Sequence, residues 1–179
     1  MNIQESVTVI REKHPFWESL KTKLIEEESK GVLNQRYTNI TGKKSLSSPS
    51  FDAPSKLIAQ WVQGILQNKY RSGGVFNAIT VYYNIEMWFA KYGKGDYTKK
   101  HDHLPFGIFS FVYFVQCPKG SSPLVFSTSG KKVKAEEGEV VIFPGWVKHH
   151  VPKNNCDGRI TLAGNILVKF DHEQFPYFA

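Results

Sequence analysis

Cysteine is nearly absent from this chain: Cys117 and Cys156 are the only two thiols in 179 residues. That is too few for a disulfide scaffold or a cysteine-based zinc site. Long apolar runs are also missing. The longest, Ile108 to Val115, contains Ser110 and falls far short of a membrane span. The opening residues MNIQESVTVIREK hold no apolar signal core. These absences lead to the expectation of a soluble, cytoplasmic protein in a reducing compartment, with no membrane partner. Acidic residues are outnumbered, 16 Asp+Glu against 23 Lys+Arg, for a formal net charge of +7. Such an excess permits an acidic partner without identifying one.

What is present is an ordinary globular mixture, 41% hydrophobic and 22% charged, which excludes a disordered or collagen-like chain. With about 150 residues per domain, the expectation is one domain over 1–179. A domain of this size buries roughly 70% of its unfolded surface and needs no covalent staple.

The chain reads in two regimes. Residues 1–72 form a helical flank. Pro15 sits at a first turn, Phe16, Leu20 and Leu24 recur at helical spacing, and Lys30-Gly31 supplies a stop. Asp52 and Pro54 open a second helix whose stripe is Leu57, Ile58, Trp61, Val62, Ile65 and Leu66. From 75 to 170, short β-branched and aromatic runs alternate with turn residues. The runs are Ala78–Phe89, Gly107–Gln116, Leu124–Ser127, Lys132–Lys134, Glu139–Phe143, Lys148–Val151 and Arg159–Phe170. The expected class is mainly β with flanking helices, a sandwich or barrel.

Four of the six histidines fall in two tight clusters, His101 with His103 and His149 with His150. Two residues apart on a strand, His101 and His103 share a face and Asp102 points the other way. Only one of His149 and His150 can join them. A pair at i, i+2 plus a distant third histidine is how a β-barrel gathers a metal, and neutral imidazoles suit Fe, Zn, Cu or Ni. His-x-His pairs also occur on ordinary solvated surfaces, so the surroundings have to decide. Gly95 precedes His101 by six, and Gly138, Pro144 and His149 are spaced G-x5-P-x4-H.

G-x5-H-x-H followed by G-x5-P-x4-H resembles the two motifs of the cupin double-stranded β-helix. Arg159 lies ten residues after His149, in Arg159-Ile160-Thr161. That is similar to the 2-oxoglutarate/Fe(II)-dependent oxygenases, in which an Arg-x-Ser/Thr at this distance grips the far carboxylate of 2-oxoglutarate. Phe143-Pro144-Gly145-Trp146-Val147-Lys148-His149 further resembles the segment of a small bacterial and phage subfamily, and Tyr92-Gly93-Lys94-Gly95 ahead of His101 is similar to prolyl 4-hydroxylase-like members. The resemblance covers about residues 80–168.

It implies a double-stranded β-helix (jelly roll) over 75–170, with Fe(II), 2-oxoglutarate and O2 as cofactor and cosubstrates. It implies hydroxylation of a peptide, protein or small molecule with release of succinate and CO2. It assigns the metal to His101, His103 and His149. It assigns 2-oxoglutarate to Arg159 and Thr161, with Tyr83, Tyr113 and Asn165 as further pocket candidates and Trp88 and Tyr97 at the substrate mouth.

One departure stands out. The usual motif is His-x-Asp, and here His103 holds the second position. Three readings stay open: a three-histidine iron site, Asp102 as the carboxylate ligand, or a drifted site that binds metal without turnover. Three neutral histidines leave the full +2 charge on iron. A carboxylate would reduce it to +1. Lys91, Lys94, Lys99 and Lys100 suggest a basic approach, and hence an acidic or nucleic-acid substrate beside the peptide and small-molecule options. The competing functions are a three-histidine cupin enzyme that does not use 2-oxoglutarate, which Arg159 argues against, and a non-catalytic binding module on the same barrel.

Overall fold

Strand alternation from Tyr82 onward and two apolar helical stripes before it account for the layers seen in the structure. It is a computed structural model that describes residues 7–30, 33–34, 40–45, 53–70, 82–105 and 107–169. Helix α1 (Trp17–Lys30) buries Leu20 and Leu24. Helix α2 (Ala53–Tyr70) buries Ile58, Ala59, Val62, Ile65 and Leu66. Both expected stripes are narrower than the sequence suggested. Phe16 precedes α1 and is 71% exposed, and Leu57 faces outward on α2. Glu27 of α1 accepts the backbone N–H of Ser55 in the first turn of α2, so a buried carboxylate meets unsatisfied donors at a positive helix end. None of the described helices is long and apolar enough to cross a membrane.

Among the described residues, eleven strands follow the order β1 (Ile10–Lys13), β2 (Leu33–Asn34), β3 (Lys43–Ser45), β4 (Tyr82–Tyr92), β5 (Thr98–His101), β6 (Phe109–Gln116), β7 (Leu124–Phe126), β8 (Lys132–Val133), β9 (Glu139–Pro144), β10 (His149–Val151) and β11 (Arg159–Lys169). They form two antiparallel sheets, β1-β9-β6-β11-β4-β3-β2 and β5-β10-β7-β8. The seven expected runs from 75 to 170 correspond to β4, β6, β7, β8, β9, β10 and β11. Strands β1 to β3 were not expected. β1 is a polar edge strand, Ile-Arg-Glu-Lys, paired with β9, and β2 and β3 are too short for a periodic signal.

The large sheet is buried on both faces, which is why its strands read as nearly continuous apolar runs. Phe89, Phe111, Tyr113, Val140, Ile142, Ile160 and Leu162 pack with the helices in one core. Ala90, Tyr92, Phe114, Val141 and Phe143 pack with Leu124, Phe126 and Val151 of the small sheet in a second core. This pair of facing sheets with helices against one of them is the double-stranded β-helix. The candidate residues lie between the sheets.

Candidate active site

Strand β11 runs through the centre of the large sheet, between β4 and β6. Its even positions Ile160, Leu162 and Ile166 enter the helix-side core. Its odd positions Arg159, Thr161 and Asn165 therefore project between the sheets, where all three line a cavity of about 210 Å³. Register places Tyr92 opposite Arg159, Ala90 opposite Thr161 and Glu86 opposite Asn165. Across the gap, β5 and β10 pair with His101 opposite His149.

His101, His103 and His149 each offer a ring nitrogen, and these nitrogens lie within 4.8 Å of one another. The strand argument is only half right. β5 ends at His101, and His103 sits in the loop beyond it, held by its N–H to the Gly145 carbonyl at 2.8 Å. Alternation no longer governs the segment there, so Asp102 also lines the cavity, but it stands outside the three-nitrogen cluster. His150 bonds through Nδ1 to the Ser127 hydroxyl at 2.8 Å, and His149 takes the cluster position.

The backbone fixes two tautomers. A carbonyl can only accept, so His101 donates Nδ1–H to Lys99 O at 2.8 Å and His149 donates Nδ1–H to Val147 O at 2.9 Å. Each ring's lone pair is then on Nε2. Burial lowers the His149 pKa to about 3, reinforced by the neighbouring His101, so this imidazole is neutral and ligand-ready at physiological pH. The Phe143 ring meets His149 edge-on at 4.7 Å and covers its apolar side.

At another part of the cavity Arg159 is completely buried. Its guanidinium stacks on the Tyr92 ring, 4.5 Å from the centroid. Among the described residues none of its three side-chain nitrogens has a hydrogen-bond partner. Tyr92 is itself fixed by a 2.7 Å bond between its hydroxyl and that of Thr98. The turn that follows is tied down twice: Asp96 accepts Gly93 N–H, and Asp157, two residues before Arg159, accepts Lys94 N–H. Thr161 donates a long 3.5 Å bond to Ala90 O, and Ser110 donates to Asn165 Oδ1 at 3.0 Å.

One of the pocket candidates is not brought in, and another cannot be placed. Tyr113 points to the helices, meets Trp61 edge-to-face at 6.4 Å and does not line the cavity. Burial there raises its hydroxyl pKa. Tyr83 pairs in register with Val168, and its side chain lies outside the described residues. Trp88 lines the cavity, whereas Tyr97 lines a separate outer groove. Tyr92, Thr98 and Glu86 were missed as site residues. Tyr92 and Glu86 carry a readable signal, because the even positions of β4 alternate against the apolar Met87 and Phe89.

The expected basic approach is met only in part. Lys91 ion-pairs with the buried Glu28 of α1 at 3.1 Å, and the exposed Lys94, Lys99 and Lys100 line no part of this cavity, although Lys99 and Lys100 line the outer groove that adjoins it at Thr98, His150 and Val151.

By sequence, no family model and no curated protein matches the chain. By structure it is similar to a Pseudomonas putida prolyl-4-hydroxylase (TM-score 0.71, 18% identity, 92% of this chain and 94% of that one). It is also similar to the viral collagen prolyl hydroxylase of Paramecium bursaria Chlorella virus-1 in its 2-oxoglutarate complex (0.68, 17%, 87% and 94%). A third similar structure is HygX from Streptomyces hygroscopicus with nickel, 2-oxoglutarate and hygromycin B bound (0.63, 10%, 92% and 84%). At these identities the likeness establishes the shared double-stranded β-helix.

Proposed function

We propose that the protein is a 2-oxoglutarate- and Fe(II)-dependent dioxygenase of hydroxylase type, acting on a peptide, protein or small-molecule substrate and releasing succinate and CO2. The observation that carries this reading is Arg159. A buried cation without a partner costs several kcal/mol, and here it shares a cavity with three clustered imidazoles. A small dicarboxylate that reaches both would neutralise the arginine and complete a metal's coordination at once. The structural neighbours whose structures hold 2-oxoglutarate share this fold.

The residues present fit the group. His101 and His149 would hold the metal through Nε2, oriented by the carbonyls of Lys99 and Val147, and His103 would complete the set, its backbone tethered to Gly145. Hydrogen bonds that orient ligands in this way commonly tune metal affinity tenfold or more. Arg159 would pair with the far carboxylate of 2-oxoglutarate in the two-pronged geometry a guanidinium offers, held flat by Tyr92. Thr161 would add its hydroxyl and Asn165 would border the metal side. Iron with 2-oxoglutarate supplies the oxidising chemistry when bound. Phe143, Phe111 and Val112 keep water from the centre.

The test is anaerobic addition of Fe(II) and 2-oxoglutarate, read by visible absorption. A weak metal-to-ligand charge-transfer band is expected, lost in His101→Ala and His149→Ala. Bound iron without that band would overturn the reading.

A further inference from the structure

The cavity is acidic at its mouth. Glu86 on β4 and Asp102 after β5 both line it, from opposite sheets. Glu86 is exposed at the rim and receives only a long 3.5 Å contact from Asn165 Nδ2, the amide that Ser110 anchors from behind. Asp102 is half-buried and accepts only the N–H of Leu104 at 3.4 Å. Among the described residues neither carboxylate forms a salt bridge. Among the described residues, the one cationic side chain lining the cavity apart from the histidines is Arg159, whose nitrogens, without hydrogen-bond partners there, already point to an anionic ligand in the same cavity.

We propose that Glu86 and Asp102 make this mouth a recognition site for a cationic prime substrate, a primary amine or guanidinium group. The inference rests on the oxygenase reading above. With three neutral histidines, the metal's two positive charges balance the cosubstrate's two negative ones. Arg159 then offsets one of the two carboxylates, and one negative charge is left facing the entrance. The half-buried Asp102 is less screened by water than a fully solvated carboxylate and attracts a cation more strongly, with the exposed Glu86 adding to the field at the rim. Size narrows the choice further. At about 210 Å³ the cavity is smaller than the roughly 300 Å³ of the smallest drug-sized sites. With a dicarboxylate inside, it admits the tip of a side chain or a slender amine, not a bulky molecule. The exposed apolar side chains Leu104, Ile108 and Trp146 flank the loop that carries His103 and suit the aliphatic stem behind such a charge.

The test is calorimetric binding to protein loaded anaerobically with Fe(II) and 2-oxoglutarate. The probes are the Nα-acetyl amides of lysine, arginine, norleucine, glutamate and proline, with free lysine and arginine in parallel. The lysine or arginine probe should bind at least tenfold tighter than norleucine, with the preference weakening as salt rises. Glu86→Gln and Asp102→Asn should each reduce that preference several-fold, while Glu26→Gln on the exposed face of α1 leaves it intact. Tighter binding of the capped form indicates a side chain within a peptide, and of the free form a small amine. Equal or better binding of norleucine, proline or glutamate, no binding by any probe, or an unchanged preference in Glu86→Gln would overturn the proposal. The visible band on the same samples separates the two readings. A band without cation preference sinks this inference alone, and cation preference without a band sinks the oxygenase.

Discussion

At the scale of single residues the protein carries two groups whose burial is costly without a ligand. Arg159 is fully buried, and among the described residues its side-chain nitrogens have no hydrogen-bond partner. Replacing a buried unpaired charge by an apolar residue of similar length is often neutral or stabilising. Arg159→Met should therefore leave the ligand-free melting temperature unchanged or raised. Wild-type, Fe(II)-loaded protein at 2-oxoglutarate concentrations of about 100 times Kd should gain about 2.7 kcal/mol, or roughly 5–10 °C. Arg159→Met should gain almost nothing, and an equal rise in the variant would remove the clamp. His149 is the second such group. Its folded pKa, about 3, lies below the unfolded value of 6.5. As pH falls through 6.5 the unfolded chain takes up a proton that the native metal-free chain refuses, so stability is present above that pH and lost down to about 3. Urea unfolding of metal-free protein should lose on the order of 1–2 kcal/mol through this group between pH 7 and pH 5, and His149→Leu should flatten that slope.

At the scale of elements, the site depends on turns as much as on strands. The Pro144-Gly145 turn touches the His103 loop three times over: Gly145 O accepts His103 N–H, Gly145 N–H meets Ile108 O, and a Cβ added at Gly145 would lie 2.0 Å from the Gly107 carbonyl oxygen. Backbone cannot yield as a flexible side chain can. Gly145→Ala should push the His103 loop away and weaken metal binding by about 10–100-fold, measurable by chelator competition, even where the protein still folds.

The legibility of this region is uneven for the same reason. Spacing brought out His101 and His149, and the family resemblance brought out Arg159 and Thr161, to which Asn165 was joined by parity, because regular strands fix which side chains share a face. His103 joined them although the premise failed, since it lies beyond β5 and is placed by a hydrogen bond to a turn 42 residues later. Tyr113 was misassigned because both faces of β6 are apolar, so the pattern does not say which face meets the cavity and which meets Trp61. Asp102 reaches the mouth because it lies in the loop beyond β5, where strand alternation no longer decides which way a side chain faces.

At the scale of the whole molecule, the helices brace the sheet from behind and stay away from the chemistry. Leu24 is fully buried in the helix-side core. Leu24→Ala should cost about 2–5 kcal/mol in urea unfolding yet leave metal affinity of the folded fraction unchanged. A matching loss of affinity would show that the two layers are coupled. Cys117 belongs to the same inert category. Burial pushes its thiol up to about 12, so thiol reagents at pH 8 should modify it only after unfolding.

The central position of β11 also has a consequence for biogenesis. Its partners β4 and β6 are made first and must wait for it, β4 for some 67 residues from Tyr92 to Arg159. At about 5–20 residues per second, that is roughly 3–13 s of synthesis during which both strands hold out unpaired edges beside apolar faces. The last of the described strands to emerge is the one that closes the sheet and delivers Arg159, so a chain truncated before it on the ribosome would be sticky and without a site. Nascent-chain lengths that stop short of residue 159 are therefore the ones on which chaperones should be found.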